Sequence, residues 1–204
     1  MTDTATRSTI TLKGSAQMVK EFFDYGINSI LFQRGIYPPE MFVKEKKYNM
    51  ALMVTKDEKL RNFLNPLLKQ VEYWLALKRV KRLVLVIQDV KTKEVLERWE
   101  FNVETDESFG EGQAKEVCEK RIKQEISDVL KQIVSCVSFL PIIEVDCSFD
   151  VLIFGKHLEN DENLPDDWAD STARNIVDAE EVDLRQFSTN LHKVSTKVQY
   201  KADC

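Results

Sequence analysis

Five consecutive apolar residues, Leu83-Val84-Leu85-Val86-Ile87, constrain this chain more than any other stretch. A strand reads as an unbroken apolar run when both of its faces are covered. The fold must therefore place one layer on each side of this strand. The residues that follow supply a neighbour. Past Asp89-Val90-Lys91-Thr92-Lys93, the side chains Trp99, Phe101 and Val103 alternate with Arg98, Glu100 and Asn102, which predicts a hairpin.

Helical spacing supplies the cover. Residues 9–13 read as an extended lead, and Ser15 as the cap of a helix with Val19, Phe22, Phe23, Gly26, Ile27 and Ile30 on one stripe. Gly35 ends it, and Tyr37-Pro38-Pro39 enforces an extended connection. Thr55 and Glu58 form a capping-box pattern ahead of Leu60, Phe63, Leu64, Leu67, Leu68, Val71, Trp74 and Leu75. Pro66 lies inside that pattern, where it either opens a second segment capped by Asn65 or kinks one long helix. A third helix carries Ile122, Ile126, Val129, Leu130, Ile133 and Val137, and Leu140-Pro141 ends it. From Ile143 to Ile153 apolar residues take alternate positions, predicting a long, half-buried strand. Little periodicity follows up to Asp178, and then Val182-Asp183-Leu184 and Val194 to Tyr200 read as two short strands. Helices and paired strands without βαβ alternation define an α+β domain with mainly antiparallel pairing. At 204 residues a single domain is expected.

The net charge of −5 is unevenly placed. Residues 1–155 hold equal numbers of cations and carboxylates, whereas residues 156–185 set Lys156, Arg174 and Arg185 against ten carboxylates. No basic excess is present to hold a nucleic-acid backbone. No apolar run approaches the ~20 residues of a membrane helix. The polar start Met1-Thr2-Asp3-Thr4 predicts no signal peptide. Cys118 and Cys136 read as one helix and stand too far apart to bridge, and Cys147 and Cys204 complete no C-x-x-C pair, so an intracellular chain with reduced thiols is expected.

A search for chemistry returns no catalytic seat. His157 and His192, the only histidines, show no zinc spacing, and His192 reads as a hydrogen-bonded structural histidine. Gly110-Glu111-Gly112 is a lone G-x-G in an acidic loop and a poor phosphate cradle. The carboxylates of residues 159–183 lack calcium-loop order. No catalytic residue, metal or cofactor is expected. A long amphipathic strand followed by weakly periodic sequence does suggest strand addition by a partner, against the plainer reading that residues 182–200 complete the sheet.

Several segments carry a resemblance in one order along the chain. These are Gly26-Ile27-Asn28-Ser29-Ile30-Leu31, Gln33-Arg34-Gly35-Ile36-Tyr37-Pro38, Glu94-Val95-Leu96-Glu97-Arg98-Trp99, Ser138-Phe139-Leu140-Pro141 and Cys147-Ser148-Phe149-Asp150. From about Ile10 to Tyr200 the chain resembles the HORMA-domain family, and within it the spindle assembly checkpoint branch more than the meiotic, translesion or autophagy branches. The resemblance implies a single HORMA domain over 1–204, three main helices packed on a mainly antiparallel sheet, and a mobile C-terminal safety belt over 155–204. In such proteins the belt strands cover one sheet edge in an open form. They cross to the other edge in a closed form, trapping a partner peptide as an added strand.

Carried over residue by residue, the peptide site comprises Trp74 with Ser148, Phe149, Asp150, Val151, Leu152, Ile153 and Phe154. Trp168, Val182, Leu184, Phe187 and Val198 belong to the belt. Lys131, Gln132, Phe139 and Arg185 form a surface that pairs an open with a closed copy, and Leu12 packs differently in the two states. Lys131 stands where arginine is common, which removes bidentate pairing from that surface. Ser188, Thr189, Ser195 and Thr196 are candidate phosphosites. The implied partners are a coiled-coil mitotic-arrest-deficient protein, the activator of the anaphase-promoting complex, and an AAA+ remodelling ATPase with its HORMA adaptor. Nucleic acid and membrane are excluded, and the implied locations are nucleus, kinetochore and cytoplasm.

Overall fold

The apolar run lies at the heart of the sheet. In a computed structural model that describes residues 7–110, 112–156, 158, 164 and 168–201, strand β4 (Val80–Asp89) pairs with β5 (Val95–Thr105) on one side and β7 (Cys147–Gly155) on the other. Leu83 through Ile87 are all fully buried. Leu83, Leu85 and Ile87 face the helices, while Val84 and Val86 join Leu152, Val95 and Phe154 in a smaller cluster on the outer face. Both faces are covered, as a non-alternating strand requires. The full sheet has the order β7-β4-β5-β9-β8 and is antiparallel throughout, with β8 (Ala179–Ser188) and β9 (His192–Lys201) as its last hairpin.

Helix α1 (Leu12–Gln33) lies at the centre, against the inner face of the sheet and between α2 (Glu58–Ala76) and α3 (Glu119–Ser135). Its Phe22 and Phe23 pack on Phe101 of β5, with ring centres 5.7 and 5.6 Å away. Fully burying side chains of this size is worth about 1.5–3 kcal/mol each. One charged pair enters this core: Arg34, at the end of α1, holds Glu97 of β5, and Glu97 also accepts from the Trp99 indole at 3.1 Å. The Glu97 carboxyl is raised by burial and pulled back by Arg34.

Several expectations need correction. Thr11, not Ser15, caps α1 by accepting from the Gly14 amide, so Leu12 opens the helix instead of lying in an extended lead. Ser15 is buried inside the first turn. Asp57 caps α2 through the Leu60 amide, and Thr55 accepts from the Asp57 amide one step earlier. Pro66 leaves α2 unbroken from Glu58 to Ala76. Cys118 caps α3 and ends strand β6 (Lys115–Cys118), which pairs with β1 (Arg7–Ile10), while Cys136 lies in a 3-10 turn.

The alternating stretch becomes strand only from Cys147. Its partner β4 ends at Asp89 opposite Cys147, so Ile143 and Val145 have no strand to pair with; Val145 is exposed and Ile143 packs partly buried against the core. The two short strands expected near the C-terminus are in fact ten-residue arms of one hairpin. A second hairpin, β2 (Phe42–Lys47) with β3 (Met50–Thr55), was not anticipated. Tyr48 and Asn49 turn it with left-handed backbone, and β2 is too rich in lysine to show alternation.

Candidate functional site

One edge of β7 is fully paired with β4; the other carries no strand among the described residues. Such an edge presents unpaired backbone donors and acceptors. A cavity of about 380 Å³ lies along it, lined by Val151 to Phe154 of β7, by Trp74 of α2, and by Leu158, Leu164 and residues 168–172 of the segment that follows β7. Trp168 stands edge to face with Trp74, ring centres 5.0 Å apart. At the opposite end of the strand, Phe149 lies between Tyr37 and Phe63, at 6.1 and 5.6 Å. The strand edge is thus bounded by aromatic rings at both ends.

The chain leaves β7 through a tight passage. Gly155 lies so near the backbone of Arg79 that a Cβ would collide with the Arg79 carbonyl oxygen, and the next amide, Lys156, donates to that same oxygen at 2.8 Å. Beyond Trp168 the chain crosses the outer face of the sheet and joins β8 at the far edge. There β9 pairs with β5 over nine register positions. Val182 and Leu184 pack partly buried against the core, and Phe187 and Val198 are fully buried. Phe187 meets Phe22 at 4.8 Å.

His192, first residue of β9, anchors this hairpin to both helices beneath it. Its Nε2 lies 3.3 Å from the Leu75 carbonyl, which can only accept, so Nε2 carries the proton. Nδ1 then accepts from Ser15 Oγ at 2.6 Å, and Ser15 also meets Thr189 Oγ1 at 2.5 Å. Burial pushes the imidazole down to about 4, which keeps it neutral near pH 7. Of the candidate phosphosites, Thr189 and Thr196 are buried under this hairpin; Ser188 and Ser195 are partly exposed.

Three of the four residues of the expected pairing surface, Lys131, Gln132 and Arg185, meet along α3. Gln132 Oε1 accepts from the Arg185 amide at 2.5 Å, and Asp128 pairs with both Arg185 and Lys131, at 3.2 and 3.4 Å. Phe139 lies beyond α3, past the 3-10 turn, and is 47% exposed. Leu12 is buried at the opposite end of the molecule, beside a groove also lined by Tyr73 and Ala76 of α2 and by Leu77 just past its end. Sequence reading missed Arg98 and Arg174, both engaged on the outer face; only the position of Arg174 as a lone cation amid carboxylates could have flagged it.

The arrangement defines an α+β module in which the free edge of β7 is fenced by the chain's own C-terminal segment. The chain belongs to the HORMA-domain family, whose pattern matches residues 15–192. It is 46% identical over 193 residues to the mitotic spindle assembly checkpoint protein MAD2A of Homo sapiens, covering 94% of this chain and 93% of that protein. The mitotic spindle checkpoint component mad2 of Schizosaccharomyces pombe is 40% identical over 205 residues, with full coverage of both. Among solved structures, a chain of the mitotic checkpoint complex superimposes with a TM-score of 0.83 at 40% identity, covering 93% of this chain and 99% of that one.

Proposed function

We propose that this protein is a spindle assembly checkpoint switch without catalytic activity, which captures a partner peptide as an added strand on the free edge of β7. The observation that carries the reading is the pairing of the sheet. The β8–β9 hairpin occupies the β5 edge, and the segment after β7 borders the β7 edge, whose backbone no described strand pairs. This corresponds to the closed arrangement, with residues 155–204 as the safety belt. A strand added there finds backbone groups along Ser148 to Phe154 and apolar surface from Trp74 and Trp168.

The two partners that this reading assigns are the coiled-coil mitotic-arrest-deficient protein at kinetochores and the activator of the anaphase-promoting complex. Holding the activator delays anaphase. Switching between forms is served by a second, open copy docking at Lys131, Gln132, Phe139 and Arg185, and by an AAA+ ATPase with its HORMA adaptor. The protein works in nucleus, kinetochore and cytoplasm. Identities of 40–46% along almost the whole chain to checkpoint proteins favour this role over a repair or meiotic adaptor.

The test is to delete Thr196 to Cys204, which removes the half of β9 that pairs with β5 from Phe101 to Glu97. Capture of the activator's peptide is expected to be abolished while helical content persists. Unchanged affinity overturns the reading.

A further inference from the structure

The outer face of the sheet holds a group of charges that strand addition does not use. Arg98 and Glu100, successive outward positions of β5, are each only 2% exposed and form an ion pair. Arg82 of β4 adds a contact to Glu100 at 3.3 Å. Charges buried this deeply are tolerated when paired and fully hydrogen-bonded, and here the remaining partners come from the belt. Arg98 Nη1 donates to Gln199 Oε1 at 3.0 Å and its Nε donates to the Ala173 carbonyl at 3.2 Å. Gln199 and Lys197, neighbours on one side of β9, both bind Glu181 of β8, at 2.6 and 2.9 Å.

One step past Ala173 comes Arg174, the only lysine or arginine between residues 157 and 184. It donates to Gln88 Oε1 of β4 at 3.1 Å and pairs with Asp150 of β7 at 3.0 Å. Its backbone takes a left-handed φ of 47°, a conformation that a non-glycine residue holds at a cost and that its contacts must offset. The crossing segment is therefore gripped from both directions. A sheet arginine takes a belt carbonyl, and a belt arginine takes a carboxylate on the strand that would receive the peptide.

We propose that the Arg98–Glu100 pair and Arg174 form a two-point latch that sets the register of the belt on the sheet and the time a peptide stays beneath it. The latch rests on the capture reading above. These are positioning residues: none lines the strand-accepting edge, and each acts by holding the belt. With the hairpin displaced, Arg98 loses Gln199 and Ala173 together, so the bonds exist in one belt position only. Because Arg174 grips β7 itself, belt and receptive strand are fixed as one unit.

The experiment follows release of a fluorescein-labelled synthetic peptide, copied from the belt-bound segment of the activator, after mixing the full-length protein–peptide complex with excess unlabelled peptide. Gln199→Leu is expected to speed release roughly ten-fold, the loss of one charge-assisted hydrogen bond, and Arg174→Gln, which removes the contacts to both Gln88 and Asp150, by at least as much. Because Arg98→Leu alone strands a buried carboxylate, the double change Arg98→Leu/Glu100→Leu is the paired control and should also speed release. Exchanging the partners, Arg174→Asp with Asp150→Arg, should restore slow release beyond either single change, which a merely structural role does not explain.

Hydrogen exchange without peptide gives a second readout. In Arg174→Gln the amides of 168–178 and of β8–β9 should exchange faster than those of β4. Unaltered release and unaltered exchange overturn the latch. Failure of the unmodified protein to bind peptide overturns the capture reading instead, and the exchange result then decides the latch alone.

Discussion

Trp168 presses its indole edge to face on Trp74 at 5.0 Å, and this one contact joins the belt to α2 across the mouth of the cavity. An aromatic pair of this kind is worth about 0.5–1.5 kcal/mol beyond its buried area. Trp168→Ala should therefore loosen the belt while leaving the helices alone. Trp74 is fully buried, so Trp74→Ala should cost the whole fold about 3–5 kcal/mol. Thermal unfolding separates the two: a large drop in Tm for Trp74→Ala and little change for Trp168→Ala, whose effect instead shows as faster exchange of amides 168–172.

Phe187→Ala reports on the hairpin's seat. Its ring fills space against Phe22 and is 1% exposed, so truncation should cost roughly 3–5 kcal/mol. The loss is expected to fall on hairpin docking before global unfolding. Amides of β9 should lose protection while those of β4 facing β7 keep theirs; uniform loss throughout the sheet would count against a separable hairpin.

Acid should weaken the hairpin through His192. Burial holds its imidazole at about 4 in the folded protein, against about 6.5 in an unfolded chain. Between those values the unfolded state binds a proton that the folded state does not, so stability falls as pH drops from 6.5 to 4 and levels off below. The contribution is on the order of 3 kcal/mol at neutral pH. Urea midpoints measured across that window should show this slope, and His192→Gln should flatten it.

Gly155 admits no side chain without moving Arg79. Gly155→Ala should displace the root of the belt, breaking the Lys156 amide bond to the Arg79 carbonyl and the Lys156–Glu107 ion pair at 2.9 Å. Loss of peptide capture with an intact far-ultraviolet circular dichroism spectrum is the expected result. Alanine tolerated with full capture would show that the passage can widen.

The α3 face offers a test of pairing between copies. Replacing Lys131 by Glu and Gln132 by Ala removes the acceptor for the Arg185 amide and reverses a charge beside Asp128. Sizing by light scattering should then report monomers, and dimers surviving at the same concentration would exclude this surface.

What could be read from the sequence divides along physical lines. The core strand, the hairpin after it and most of the stripes of α1, α2 and α3 were legible because burial imposes a period, and Trp99, Phe101 and Val103 obey it; Phe63 and Val137, read into the stripes of α2 and α3, are exposed instead, Val137 because α3 ends at Ser135. Capping residues were misassigned by a few positions, because Ser15 has the chemistry of a cap but spends its hydroxyl on His192 and Thr189, which the chain brings near only on folding. The start of β7 was set by where β4 stops, a fact about the partner strand. Hairpin β2–β3 hid behind lysines. The candidate peptide site came from motif resemblance, since Trp74 alone reads as core; the grip of Arg98 on Ala173 left no local signal at all.

The segment that we propose as the belt leaves one edge of the sheet at β7 and is stitched back at the other by β9, so strand, crossing segment and hairpin close a loop whose clasp is the hydrogen bonding of β9 to β5. A peptide lying beside β7 inside that loop is enclosed in the topological sense, like a rope through a shackle. If its flanks are bulkier than the opening, it cannot slide out, however weak its own contacts. It leaves when the nine pairs between β9 and β5 come apart. How tightly a partner is bound and how long it stays bound then answer to different residues, and a partner of modest affinity can be kept for as long as the shackle pin holds.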